Sequence, residues 1–129
     1  MRTRDESGVR GDGGDERRCD GEAAGAPVLS AETLGVQRLG ERATLVQFSS
    51  AFCQPCRATR RTLEEVSAMV PGVSHVEIDA EAHLGLVRAL DITRTPTVLV
   101  LGPGGQIVRR AAGQPRKADV IAALGEAVA

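Results

Sequence analysis

Two cysteines separated by two residues, Cys53-Gln54-Pro55-Cys56, carry the strongest chemical signal in the sequence. Thiols at that spacing either close a small disulfide ring or offer two ligands to a metal ion. A thiol attacks only as its thiolate, and the unpaired N–H groups and dipole at a helix N-terminus favour that anion. The neighbouring residues predict such a place. Thr44-Leu45-Val46-Gln47-Phe48 reads as a strand, and the stretch from Cys53 or Pro55 to Val70 as a helix with Leu63, Val66 and Val70 at helical spacing. Cys53 then sits at or just before the first turn, with Cys56 one turn along. Pro55 fits an early helical position, where no hydrogen bond is lost, and Arg57 adds a nearby positive charge. Zinc needs a fuller ligand set. Cys53 and Cys56 supply two ligands, and there is no second C-x-x-C and no His pair at ligand spacing. No metal is expected.

The chain that must position these thiols has 129 residues, 42% of them hydrophobic, which suits one compact domain. Sixteen basic residues oppose seventeen acidic ones for a net charge of −1. That balance argues against a partner such as nucleic acid or an acidic membrane, which selects a basic excess. The longest strongly apolar run, Val98-Leu99-Val100-Leu101, is far too short to span a bilayer. The first residues contain no apolar leader, so a cytoplasmic location is expected. Without an export signal, three cysteines do not read as a disulfide framework. The Arg-dominated basic set and abundant Ala and Gly look like a high-GC bacterial genome.

Composition divides the chain once. Residues 1–26 hold six glycines and twelve charged residues, with Val9 the sole branched aliphatic. Such a segment buries too little apolar area to offset its chain entropy and reads as a disordered tail. Cys19 lies within it. A third ligand or accessory thiol would need a fixed position, so Cys19 reads as an incidental exposed thiol. Residues 27–129 read as the folded domain. Ser30 is placed to cap a helix running up to Leu39, with Gly40 closing it. After the strand and helix around the cysteines, Pro71-Gly72 is a stop, and Val73–Asp79 a second strand with Val76 and Ile78 alternating against polar residues. A helix follows from about Glu81 to Leu90, with Leu84, Val87 and Leu90 inward. Thr97–Leu101 reads as a strand covered on both faces, and Gly102-Pro103-Gly104-Gly105 as a turn into Gln106–Arg110. A last helix spans about Lys117 to Val128, with Val120, Ile121, Leu124 and Val128 inward. A first edge strand near Pro27–Leu29 is a weak addition. The order implies an α/β domain whose mixed sheet carries helices on both faces.

At this point the residues resemble a known family. Phe52-Cys53-Gln54-Pro55-Cys56-Arg57, followed by Thr95-Pro96-Thr97 opening a strand, resembles the thioredoxin family. Val76-Glu77-Ile78-Asp79 is similar to the family's central strand, and Gly113 to its late glycine. The resemblance implies the thioredoxin fold, with a mixed sheet of four to five strands. It also implies a thiol-disulfide oxidoreductase acting as a protein-disulfide reductase. Cys53 would be the nucleophile and Cys56 the resolving thiol. Pro96 would be cis, with Thr95 beside the sulfurs. Phe52, Gln54, Pro55, Arg94, Thr95, Pro96 and Gly113 would meet the substrate. No cofactor is implied beyond the Cys53–Cys56 disulfide. Reducing equivalents would come from a thioredoxin reductase or another dithiol donor, and the protein would be a monomer.

The sequence departs from the family in four places. Gln47 stands where a buried acid usually lies beneath the cysteines, and an amide cannot shuttle a proton. Phe52 and Ser49 replace tryptophans. Arg61 replaces a helix-kinking proline, which implies a straighter helix. His75 stands in place of a buried lysine. By spacing alone His75 reads as a partly buried strand histidine. Its position in the resemblance makes it, with Gln47 and Arg57, a candidate for proton transfer or pKa tuning. His83 reads as a surface residue. The alternative function is a non-catalytic binding module or a redox sensor on the same fold.

Overall fold

The structure is a computed structural model and describes residues 28–128. The segment 1–26, with Cys19, and the expected domain start at Pro27 lie outside the described residues. Four strands form one mixed sheet: β1 (Ala43–Ser49), β2 (Val73–Asp79), β3 (Thr97–Leu101) and β4 (Ile107–Ala112), in the order β2-β1-β3-β4. β1 runs parallel to β2 and antiparallel to β3, which pairs antiparallel with β4. The helices are α1 (Ala31–Leu34), α2 (Gln54–Met69), α3 (Leu84–Ala89) and α4 (Lys117–Val128).

β1 and β3 are central strands, and every residue of both is buried. Alternation along β1 divides the core in two. Ala43 and Leu45 face one side and pack with Leu63 and Val66 of α2 and Val120, Ala123, Leu124 and Ala127 of α4. Val46 and Phe48 face the other side, under Leu34, Leu90 and Ile92. Gln47 shares the α2 side by the same alternation, so the fold carries an amide into the interior beneath that helix.

Several boundaries differ from the sequence reading. α1 ends at Leu34 because Gly35 adopts φ 74° and its N–H returns to Ala31 and Glu32 carbonyls, so Gly40 closes no helix. Gly40 instead permits a close approach of backbone. A Cβ there would strike the Ala43 carbonyl and come within 2.9 Å of Gly72 O and Ser74 N. In place of one helix over 81–90, a 3-10 turn at Ala80–Ala82 precedes α3, and His83 joins them. Leu84 consequently points outward and is 52% exposed, while Leu90 is buried. On α4 the inward stripe is Val120, Ala123, Leu124 and Ala127; Ile121 is exposed. The hairpin strand begins at Ile107, one residue late, and a register shift at Val100/Leu101 accompanies it. At the edge near Pro27–Leu29 the described residues form a single bridge, Val28 to Gln106, so among the described residues the sheet has four strands.

Candidate active site

Cys53 is the N-cap of α2, with an extended backbone, and Pro55 lies in the first turn. The helix begins here because β1 ends at Ser49 and Pro55 fits where no N–H is needed. Cys53 and Cys56 are joined by a disulfide, their Cα atoms 5.2 Å apart. The two sulfurs stand in unequal surroundings. Cys53 is half-buried, whereas Cys56 is 1% exposed. The Cys56 N–H lies 3.2 Å from Cys53 Sγ. It is therefore aimed at the atom that would bear the thiolate charge after reduction.

Gln47 is fully buried beneath the helix start. Its Nε2 donates to Cys56 O at 2.8 Å and to Ser49 Oγ at 2.9 Å. Its Oε1 lies 3.3 Å from His75 Nε2. The amide orientation follows from these partners, since an oxygen turned toward the Cys56 carbonyl would be repelled. The amide oxygen only accepts, so the hydrogen of this pair sits on His75 Nε2. The imidazole therefore meets the cysteines through the amide, with this nitrogen acting as a donor. Burial holds the His75 pKa below its ordinary value, although the carboxylates of Glu77 and Glu64 oppose that shift. Beside it, Arg60 on α2 forms a two-pronged pair with Glu77 on β2, at 2.6 and 3.0 Å. That pair holds the Glu77 carboxyl below the usual carboxylate range.

The expected substrate-contacting residues fall into two groups. Phe52, Cys53, Gln54 and Arg57, with Ala51, line a shallow recess of about 130 Å³. Phe52 is 99% exposed. Pro55 is also exposed, at the same helix start. In the second group the Thr95–Pro96 peptide is cis. Gly113, with φ 90°, donates its N–H to Pro96 O at 2.8 Å. A Cβ at Gly113 would meet the Arg94 guanidinium at 3.5 Å, so Arg94 lies over this glycine. Ser50, which the sequence reading did not single out, links the groups. Its carbonyl accepts from Cys53 N at 3.4 Å, and its hydroxyl lies 3.0 Å from Thr95 Oγ1. A serine pair just before the cysteines was the available signal. α2 runs unbroken through Arg61. His83 is exposed, as expected. A larger cavity, about 270 Å³, lies between β4 and α4, lined by Val98, Val100, Ala111 and Val120 among others, and includes none of these residues.

Among the described residues no group of three or more His, Cys, Asp or Glu side chains is placed to hold a metal ion. None of their helices is long and apolar enough to cross a membrane.

Comparison with known proteins agrees with this arrangement. A thioredoxin from Mycolicibacterium smegmatis is 26% identical over 103 residues, covering 78% of this chain and 88% of that protein. Thioredoxin H4-1 of Oryza sativa is 30% identical over 83 residues, 64% of this chain and 63% of its own length. Among solved structures, thioredoxin f from spinach chloroplast superposes with a TM-score of 0.61 at 20% identity, over 70% of this chain and 80% of that one. A mutant thioredoxin from Halobacterium salinarum gives 0.62 at 18% identity, over 69% and 77%. These structural likenesses carry the fold. The family model described as Thioredoxin matches residues 33–126, most of the region that folds around the cysteines, and the chain belongs to the thioredoxin family of thiol-disulfide oxidoreductases.

Proposed function

We propose that the chain reduces disulfides in protein substrates, with Cys53 as the attacking thiol and Cys56 as the resolving thiol. The observation that supports this most strongly is the inequality of the two bonded sulfurs. Cys53 is half-buried at a helix N-cap and Cys56 is 1% exposed. A substrate disulfide can approach the first and not the second. The Cys53 thiolate attacks one substrate sulfur, and the other substrate sulfur leaves with the electron pair. Cys56 then attacks Cys53, the protein disulfide closes, and the second substrate sulfur is released as a thiol. Two electrons pass from the dithiol to the substrate.

The exposed Phe52, Gln54 and Pro55, with Arg94, Thr95, Pro96 and Gly113, are the surface proposed to meet an extended substrate segment. Gln47, His75 and Arg57 are proposed to tune the thiols. A separate dithiol donor, such as a thioredoxin reductase, recharges the pair, and no further cofactor is needed. A monomer acting in the cytoplasm completes the proposal.

Turnover of insulin disulfides with dithiothreitol as electron source tests the reading. Acceleration that Cys53→Ser abolishes supports it. A wild-type rate no faster than dithiothreitol alone favours a non-catalytic role.

A further inference from the structure

Among the described residues, Thr59 Oγ1 is the one buried side-chain polar atom without a hydrogen-bond partner. Thr59 is fully buried on α2. Helical threonines commonly donate to the carbonyl four residues earlier, and Thr62 does so to Ala58 O at 3.1 Å. Thr59 makes no such bond to Pro55. A buried hydroxyl kept without a partner calls for a reason, because removing it would sacrifice no bond.

Its place in the helix supplies one. Cys56 and Thr59 are three residues apart on the buried side of α2, together with Leu63 and Val66. Side chains at that spacing are neighbours along one face. Cα–Cβ bonds lean toward the helix N-terminus, so Thr59 leans toward the turn that holds Cys56. Here the Cys56 sulfur is locked in a neutral disulfide and is a weak acceptor. Once that bond opens, the same sulfur can carry a full negative charge in a buried place. Among the described residues no side chain hydrogen-bonds it in this closed form, Thr59 included. Of Cys56, Gln47 reaches the carbonyl and not the sulfur.

We propose that the Thr59 hydroxyl is the buried hydrogen-bond donor for the Cys56 thiolate, unpartnered while the disulfide is closed and engaged when the sulfur is freed and charged. This rests on Cys56 being the resolving thiol. In resolution, the Cys56 thiol gives its proton to solvent, and its thiolate, held by the Thr59 O–H, attacks Cys53 Sγ. The Cys53–Cys56 bond forms as the Cys53–substrate bond breaks. The substrate sulfur departs with the electron pair and takes up a proton from solvent. Thr59 keeps its own proton throughout and is a positioning residue.

The charged and titratable groups of the packed elements are on α2 Arg57, Arg60, Arg61, Glu64 and Glu65, and on β2 His75, Glu77 and Asp79. Arg60 and Glu77 are engaged by each other, and Glu65 lies 3.4 Å from Lys117 of α4. Facing α2 from β1 is the neutral Gln47, and the packed faces of β3 and α4 contribute Val98, Val100, Val120, Ala123 and Leu124.

The test uses the full-length chain carrying Cys19→Ser, so that only the pair reports. Reduced protein is mixed with 5,5′-dithiobis(2-nitrobenzoate), and release of the coloured thiolate is followed from about pH 6 to 9. The first phase is attack by Cys53, and the second is displacement from Cys53 by Cys56. With Thr59→Val the midpoint of the second phase should rise by roughly one pH unit, as expected for losing a hydrogen bond to a charged group. Higher nucleophilicity of the more basic thiolate offsets part of this, so resolution at pH 7 should slow by about three- to tenfold. The first phase should be unchanged, and Thr59→Ser should restore the second. A Thr59→Val midpoint equal to wild type, or a Thr59→Ser variant that behaves like Thr59→Val, overturns the proposal alone. A stable adduct with no second phase in the Thr59-containing protein overturns it together with the assignment of Cys56.

Discussion

The Gln47 side chain donates through Nε2 to the Cys56 carbonyl at 2.8 Å, tying the central strand to the first turn of the active-site helix. The tie is held from behind, because His75 on β2 occupies the amide oxygen at 3.3 Å. The amide is thus a fixed strut whose two ends have different partners. It neither takes up nor loses a proton in the neutral range.

Gln47→Leu should therefore destabilise the protein by about 1–3 kcal/mol, since His75 Nε2–H would be left without its buried acceptor. Urea unfolding of the oxidised form measures this. Gln47→Glu makes a sharper test. A carboxylate facing the Cys56 carbonyl is repelled, whereas its protonated form can donate there. The folded pKa of the new acid should be raised, so this variant should lose stability relative to wild type as pH rises through it. A Gln47→Glu protein whose stability relative to wild type is flat between pH 5 and 8 would contradict the strut.

His75 has a pKa depressed by burial below the ordinary 6.5. In the window just below 6.5 the unfolded chain binds the proton and the folded chain does not. Its contribution to stability is therefore complete above about 6.5 and is lost as pH falls toward the folded pKa. Unfolding midpoints should drop over this window in wild type and not in His75→Gln. Glu77, whose pKa is lowered by Arg60, acts separately, with stability lost only below its ordinary 4.5. Equal slopes for wild type and His75→Gln between pH 5 and 7 would exclude the imidazole as the source.

After reduction, brief iodoacetamide treatment at neutral pH should modify Cys53 well before Cys56, because Cys56 is only 1% exposed. Peptide mass mapping resolves the two sites, and faster labelling of Cys56 would reverse the assigned roles.

Gly40→Ala should cost roughly 1–3 kcal/mol by overpacking against backbone that cannot yield. The added Cβ would press on the Ala43 carbonyl and lie within 2.9 Å of Gly72 O and Ser74 N. Gly85→Ala, where nothing lies within 4 Å, is the control and should not destabilise. Equal unfolding midpoints for the two variants would refute the close approach.

Local signals carried most of the fold. Thr97–Leu101 is legible as a central strand because its residues are apolar almost throughout, and Cys53–Pro55 as a helix start because cap and proline coincide. The misreadings share a cause: local pattern does not say which neighbours an element will meet. The Leu34 and Leu39 spacing suited one helix, yet Gly35 turned the chain first. Ile121 is as apolar as Leu124, yet the face of α4 that meets the sheet is set by Val120, Ala123 and Ala127. At the site, the resemblance brought Gln47 and His75 forward. Which atom of each faces the other depends on the β1–β2 register, which pairs Leu45 with His75 and Gln47 with Glu77. No local pattern encodes that. The unpartnered Thr59 hydroxyl was equally invisible, since a threonine in a helix ordinarily bonds its own backbone.

The most direct test of reducing activity is the reduction potential of the Cys53–Cys56 couple, measured at pH 7 by equilibration in dithiothreitol or glutathione redox buffers. A value close to the ~−270 mV of thioredoxin is predicted, so that the dithiol can pass electrons to substrate disulfides. A value close to the ~−120 mV of a strong dithiol oxidant would contradict the account, because such a pair would form disulfides in its partners.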